Sequence, residues 1–214
     1  MSIAHHPSEA LLAAYGAGRL DAGEHIAIAT HLLACAQCRA FVRAVEQAGG
    51  SVLAELTPVP LSADALASVE ARLQQAPERF SPAKAPPHQK MAGLPRFVQT
   101  YPFDEWRSVA PALQARTIRL PHASLARVFL LKAGPGTRLL EHTHSGVEMT
   151  CVLEGGFSHK DGHFGPGDFD FGDSSVDHRP LIDDGVDCVC LVAMRGRLDI
   201  NGILGRLIQP FVRL

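Results

Sequence analysis

Residues 136–155 read GTRLLEHTHSGVEMTCVLEG, and their metal-binding side chains fall into the pattern Gly136-x5-His142-x-His144-x3-Glu148-x6-Gly155. In an extended chain, side chains alternate between faces, so His142 and His144 point the same way and Glu148 re-enters that face after a turn. A fourth ligand must come from another strand, and His178, about thirty residues on, is the best candidate. Three imidazoles and one carboxylate gathered inside a β-barrel make a pocket for one divalent ion. Such a set accepts zinc, iron, manganese, nickel or copper with little discrimination. Iron there would point to an oxygenase, and zinc to a Lewis-acid or structural site.

Outward from this stretch the hydrophobic period stays at two. Arg116 to Leu120, Leu125 to Lys132, Val147 to Leu153, Phe157 to Lys160 and Asp187 to Met194 are short runs punctuated by Gly, Pro and Asp, the pattern of an all-β barrel or sandwich. Gly165-Pro166-Gly167-Asp168 supplies a tight turn. His159 and His163 read as exposed loop or strand-edge histidines. Cys188 and Cys190 share one face of a strand and Cys151 lies on another; buried thiols of this kind are inert small hydrophobes more often than reactive groups.

The first third of the chain has a different period. Ser8 caps a helix with an apolar stripe of Leu11, Leu12 and Tyr15, which stops near Gly16 and Gly18. Asp21 and Glu24 form a capping box for a second helix through Ile26, Ala29, Leu32 and Leu33. Cys35 to Ala48 predicts a third, ended by Gly49-Gly50. A fourth begins at Ser62 with Leu66, Val69 and Leu73 on one stripe, set off by Thr57-Pro58-Val59-Pro60. That stripe has nothing obvious to pack on and is expected either to fold back on the other helices or to meet another protein. Prolines at 77, 82, 86, 87 and 95 mark a semi-extended linker. The organisation predicted is therefore a helical domain over 1–76, a Pro-rich linker over 77–96 and a β domain over 97–214, the helices being separable at the linker.

The helical part carries its own ligand set, His31-x3-Cys35-x2-Cys38. His31 and Cys35 are one helical turn apart and Cys38 follows at the CxxC reach, so a tetrahedral zinc site lacks one ligand, which His5 or His6 can supply. A helical domain this small has little core of its own and a physical reason to bind a metal. His25 reads as a surface histidine.

The 214 residues carry a formal charge of −2. Residues 1–76 hold four basic and seven acidic side chains, so there is no basic footprint for nucleic acid. No apolar run of roughly 18 residues is present, and neither secretion nor membrane spanning is expected. Five cysteines, two of them in zinc spacing, suit a reducing compartment, the cytoplasm.

The HxxxCxxC pattern with an upstream histidine resembles the zinc-binding anti-sigma domain, and residues 136–155 match the first cupin motif at each spacing. The second cupin motif is altered, because His178 lies farther downstream of Gly165-Pro166-Gly167-Asp168 than the common P-x-G-x2-H spacing would place it. Together with the linker, the chain resembles ChrR-type zinc-dependent anti-sigma factors from end to end. That resemblance implies His6 as the fourth N-terminal ligand, and a cupin (jelly-roll) barrel with its own ion, zinc in that family, on His142, His144, Glu148 and His178. It further implies a partner sigma factor of the extracytoplasmic-function group, released on an oxidant signal such as singlet oxygen. The competing expectation is a cupin metalloenzyme, an oxygenase or isomerase, with a helical docking domain.

Overall fold

The structure, a computed structural model, describes residues 3–75, 91, 93–121, 123–175 and 179–200, with backbone alone at 144 and 198–200. Most of the Pro-rich segment and His178 lie outside the described residues.

Four helices come first: α1 (Glu9–Gly16), α2 (Ala22–Ala34), α3 (Ala36–Glu55) and α4 (Ala65–Gln74). Their starts follow local chemistry. The Ser8 hydroxyl accepts from the Leu11 amide at 3.3 Å, and Asp21 and Glu24 form the complete capping box. At the α2–α3 junction, Cys35 ends one helix and its thiol caps the next, accepting from the Cys38 amide at 3.4 Å. Arg39 donates to the carbonyls of Leu32 and Leu33 at 2.5 and 3.0 Å, filling the open end of α2.

Two expectations for the helices need correction. α3 runs through Gly49-Gly50 to Glu55. Glycine costs only about 1 kcal/mol against alanine inside a helix, and Ser51 to Glu55 continue it. α4 begins at Ala65 rather than Ser62 and does not fold back: Leu66 and Leu73 are 71% and 80% exposed.

Eleven strands follow among the described residues: β1 (Arg107–Ala110), β2 (Leu113–Ile118), β3 (Arg127–Ala133), β4 (His142–His144), β5 (Val147–Glu154), β6 (Phe157–His159), β7 (Gly162–Phe164), β8 (Phe169–Gly172), β9 (Leu181–Ile182), β10 (Cys188–Arg195) and β11 (Leu198–Ile200). Six form an antiparallel sheet in the order β1-β2-β3-β10-β5-β8. Smaller sheets, β7-β6-β9 and β11-β4, complete the cupin-like β structure. The large sheet has two apolar faces. Phe129, Val152, Cys190, Val192 and Met194 look inward onto Phe157, Phe164 and Ile182. Val128, Leu130, Met149, Cys151 and Leu191 look outward and are covered by the helices.

That second face changes the relation between the two parts of the chain. Ile28, Ala27, Leu130 and Leu191 are fully excluded from water in one cluster that also holds Leu12, Cys38 and Val42. The helical part therefore sits on the sheet and is not merely tethered to it. Each buried leucine, isoleucine or valine side chain here contributes about 1.5–3 kcal/mol by leaving water. Gly23 permits the approach, since a Cβ there would lie 2.8 Å from the Ala126 Cβ. Asp21 adds polar anchors: it accepts from the Ser124 hydroxyl and from the Leu125 amide at 3.0 Å. Arg195 on β10 reaches Glu24 at 3.3 Å.

Candidate metal centre

The α2–α3 elbow and an N-terminal strap, residues 3–8 ahead of α1, bring His6, His31, Cys35 and Cys38 together, with their ligand atoms all within 4.8 Å of one another. His6 Nδ1 is 3.4 Å from both thiols, and His31 Nε2 is 3.3 Å from Cys38 Sγ. An ion bound tetrahedrally at roughly 2.0–2.3 Å holds its donors roughly 3.3–3.8 Å apart, so the donor set and its spacing fit a metal such as zinc. The alternative ligand, His5, is turned away and stacks on Phe164 with ring centroids 4.0 Å apart.

The electrostatics show what an ion at this site would have to overcome. Burial, then the adjoining Cys35 thiol, push Cys38 up to about 12 in the absence of a cation. A divalent ion reverses that, since it binds the thiolate directly, and the thiol at Cys35 already faces the positive end of α3. Burial holds His31 below the ordinary imidazole value despite its hydrogen bond to Gly167. It is thus a neutral imidazole that could serve as a ligand, with Nδ1 2.8 Å from the Gly167 carbonyl and Nε2 turned to the sulfurs. A ligand histidine whose other ring nitrogen is tied to a carbonyl has its tautomer and orientation fixed.

The barrel places its predicted ligands less completely. His142 is buried, with Nδ1 2.8 Å from the Leu140 carbonyl oxygen. His142 and Glu148 both line an inner cavity of about 660 Å³ with Thr150, Asp170, Cys188 and Cys190. Burial raises the Glu148 carboxyl above its usual range, against the opposing influence of His142 and the Thr150 hydroxyl, which lies 3.1 Å from it. The His144 side chain and His178 lie outside the described residues. Cys188 and Cys190 have their sulfurs 3.6 Å apart. Their neighbour contacts and burial raise Cys190 well above the ordinary thiol value, and burial pushes Cys151 up to about 12. Both are protonated and weakly nucleophilic at neutral pH.

Three histidines outside the ligand sets differ in setting. His159 is not an exposed strand-edge residue: its side chain is 1% exposed, 3.1 Å from Asp170, and stacked against Phe157 and Phe164. Its neighbours on β6, β7 and β8 close over it. His163 does stand at the surface, 2.7 Å from Asp183. His25 is half-buried against the Tyr15 ring.

Residues 96–196 match the family model of the ChrR cupin-like domain. Across its full length the chain is 36% identical to the anti-sigma-E factor ChrR of Cereibacter sphaeroides, covering all of both sequences. The chain belongs to the ChrR family of anti-sigma factors. Among solved structures, the complex of Rhodobacter sphaeroides SigE with the anti-sigma ChrR is similar with a TM-score of 0.74 and 33% identity, covering 90% of this chain and 99% of that one. ChrR membership accounts for the order of parts, helices first and cupin-like sheet second. No helix among the described residues is long and apolar enough to cross a membrane.

Proposed function

We propose that this protein is a cytoplasmic, zinc-dependent anti-sigma factor that binds an alternative sigma factor of the extracytoplasmic-function group and frees it on an oxidant signal such as singlet oxygen. The observation that carries this reading is an uncovered apolar ridge on a family member. Val52, Leu53 and Leu56 at the end of α3, Val59 and Leu61 beyond it, and Leu66, Val69 and Leu73 on α4 are all more than half exposed. Exposed large apolar side chains in this number, on consecutive elements, suit a protein-interaction surface. The SigE complex of its relative makes a sigma factor the occupant to test.

In this reading residues 1–76 hold the sigma factor, 77–96 link and 97–214 receive the signal. Zinc on His6, His31, Cys35 and Cys38 fixes the α2–α3 elbow from which the ridge extends. A second divalent ion, zinc by family resemblance, belongs on His142, His144, Glu148 and His178. There it would be held by ligands from different strands, and the barrel is regulatory rather than catalytic.

Co-expression with the sigma factor of the same genome is the test. A one-to-one complex that survives purification, with two metals per chain, is expected. Loss of the second metal in Glu148→Ala, with sigma binding kept and the oxidant response blunted, supports the sensing role of the barrel. A chain that never captures the sigma factor, and instead turns over a substrate when iron is restored, overturns the reading in favour of a cupin enzyme.

A further inference from the structure

The strap that carries His6 is held by the barrel. The amides of Ala4 and His5 donate to one carboxylate oxygen of Asp168 at 2.7 and 2.9 Å, and the Gly165 amide donates to the other at 2.9 Å. The Phe169 amide donates to the His5 carbonyl at 3.1 Å, and the His5 ring lies on Phe164. The turn is fitted closely to its partners: Gly167 has φ +91°, and a Cβ there would meet Ala34 at 2.9 Å and Ile3 at 3.0 Å. The carbonyl of the same Gly167 orients His31. One barrel turn thus controls two of the four ligands.

We propose that Asp168 is the positioning residue of the N-terminal metal site, and that metal retention by the helices is set by the Gly165–Phe169 turn of the barrel. The inference rests on the reading that His6, His31, Cys35 and Cys38 hold a metal. Residues 3–8 form no regular secondary structure, and a segment without ladder hydrogen bonds keeps its place only where it is tied down, so His6 on an unclamped strap spends most of its time away from the ion. The clamp also adjoins the cavity. Asp168 leads into β8, where Asp170 is part of the cavity wall, so a change in the barrel interior has a short route to the metal ligands, two residues of chain and then the hydrogen bonds of the turn.

The full-length chain loaded with cobalt(II) tests this. The sulfur-to-cobalt absorption band, assigned to the N-terminal site by its loss in Cys35→Ser, is followed after addition of EDTA, with the single Trp106 reporting barrel integrity by fluorescence. Asp168→Ala is expected to release cobalt roughly 10–100-fold faster, the range for losing an outer-shell partner, with unchanged Trp106 emission. Asp168→Asn, which keeps an oxygen able to accept from the strap, falls between. Equal release rates in all three overturn the clamp while leaving the metal site standing. Absence of the band in the unaltered chain removes the metal reading, and the clamp with it. If both variants misfold, amide exchange on the unaltered loaded chain decides: slow exchange at Ala4 and His5 supports the clamp, and exchange as fast as a free chain end overturns it.

Discussion

His31 Nδ1 lies 2.8 Å from the carbonyl oxygen of Gly167, a residue 136 positions away and in the other half of the chain. A histidine of the helical ligand set therefore takes its orientation from the barrel. The two parts share this polar link, the Asp168 clamp and one apolar cluster, so the helical part and the barrel are mechanically connected.

Replacing Cys35, Cys38 or His31 with alanine is expected to abolish sigma binding and melt α2 and α3. A structural zinc contributes on the order of 10 kcal/mol or more in small zinc domains, comparable to the whole stability of a typical domain. Metal analysis and helical circular dichroism of the three variants check this; a variant without zinc that keeps its helices and its partner would show the site to be dispensable.

A fragment of residues 1–85 is expected to retain sigma binding, since the exposed ridge lies wholly within it. It should also melt at a lower temperature than the helices of the intact chain, because Ile28, Ala27 and Leu32 lose their cover on β5 and β10. Thermal denaturation of fragment and full chain makes the comparison. Identical midpoints would mean that the apolar contact between α2 and the sheet contributes nothing.

Acid should loosen the junction at Asp21. Burial pushes this carboxyl up, but hydrogen bonds from Ser124 and from the amides of Leu125, Gly23 and Ala126 outweigh it and hold it below its ordinary value. Its contribution is therefore complete above the unfolded value, about 3.9 for a free aspartate, and is lost as pH falls through the depressed folded one. Asp21→Ala should cost about 0.5–2 kcal/mol at pH 7 as a lost cap, and the gap from the unaltered protein should narrow below about pH 4. Urea unfolding across pH measures it, and a gap independent of pH would remove the charged carboxylate from the account.

Leu66→Asp and Leu73→Asp on α4 separate binding from folding. Both side chains are largely exposed, so stability should change by less than about 0.5 kcal/mol. Sigma affinity should fall by about 1–2 kcal/mol or more for each, as for interface anchors. Calorimetric titration against the sigma factor gives the result, and unaltered affinity in both would place the docking surface elsewhere.

Much of the candidate metal cluster was legible in sequence because its spacing is local. His31, Cys35 and Cys38 lie within two helical turns, and Ser8 and Asp21 carry recognisable caps. Five of the strands were visible from their alternation and β4 from its histidine pair, whereas β1, β7, β8, β9 and β11, each two to four residues long, were not. The seating of α2 on the sheet was missed although its signal was present. Ile26, Ala27, Ile28, Ala29 and Leu32 are all buried, and a helix that is apolar around most of its circumference belongs inside a larger core. The roles of Gly167 and Asp168 had no such signal: Gly165-Pro166-Gly167-Asp168 reads as a turn, and nothing local says that the N-terminal strap lies across it. His159 likewise looked exposed, since its cover comes from separate strands.

The most direct measurement is transcription in vitro by core polymerase with the partner sigma factor, titrated with the full-length chain in its zinc-loaded and chelator-stripped forms. The zinc-loaded chain is predicted to silence the sigma-dependent promoter at one equivalent, and the stripped chain to lose inhibition and regain it when zinc is restored. Undiminished transcription at excess zinc-loaded chain, or equal inhibition by a chain shown to be metal-free, would contradict the account.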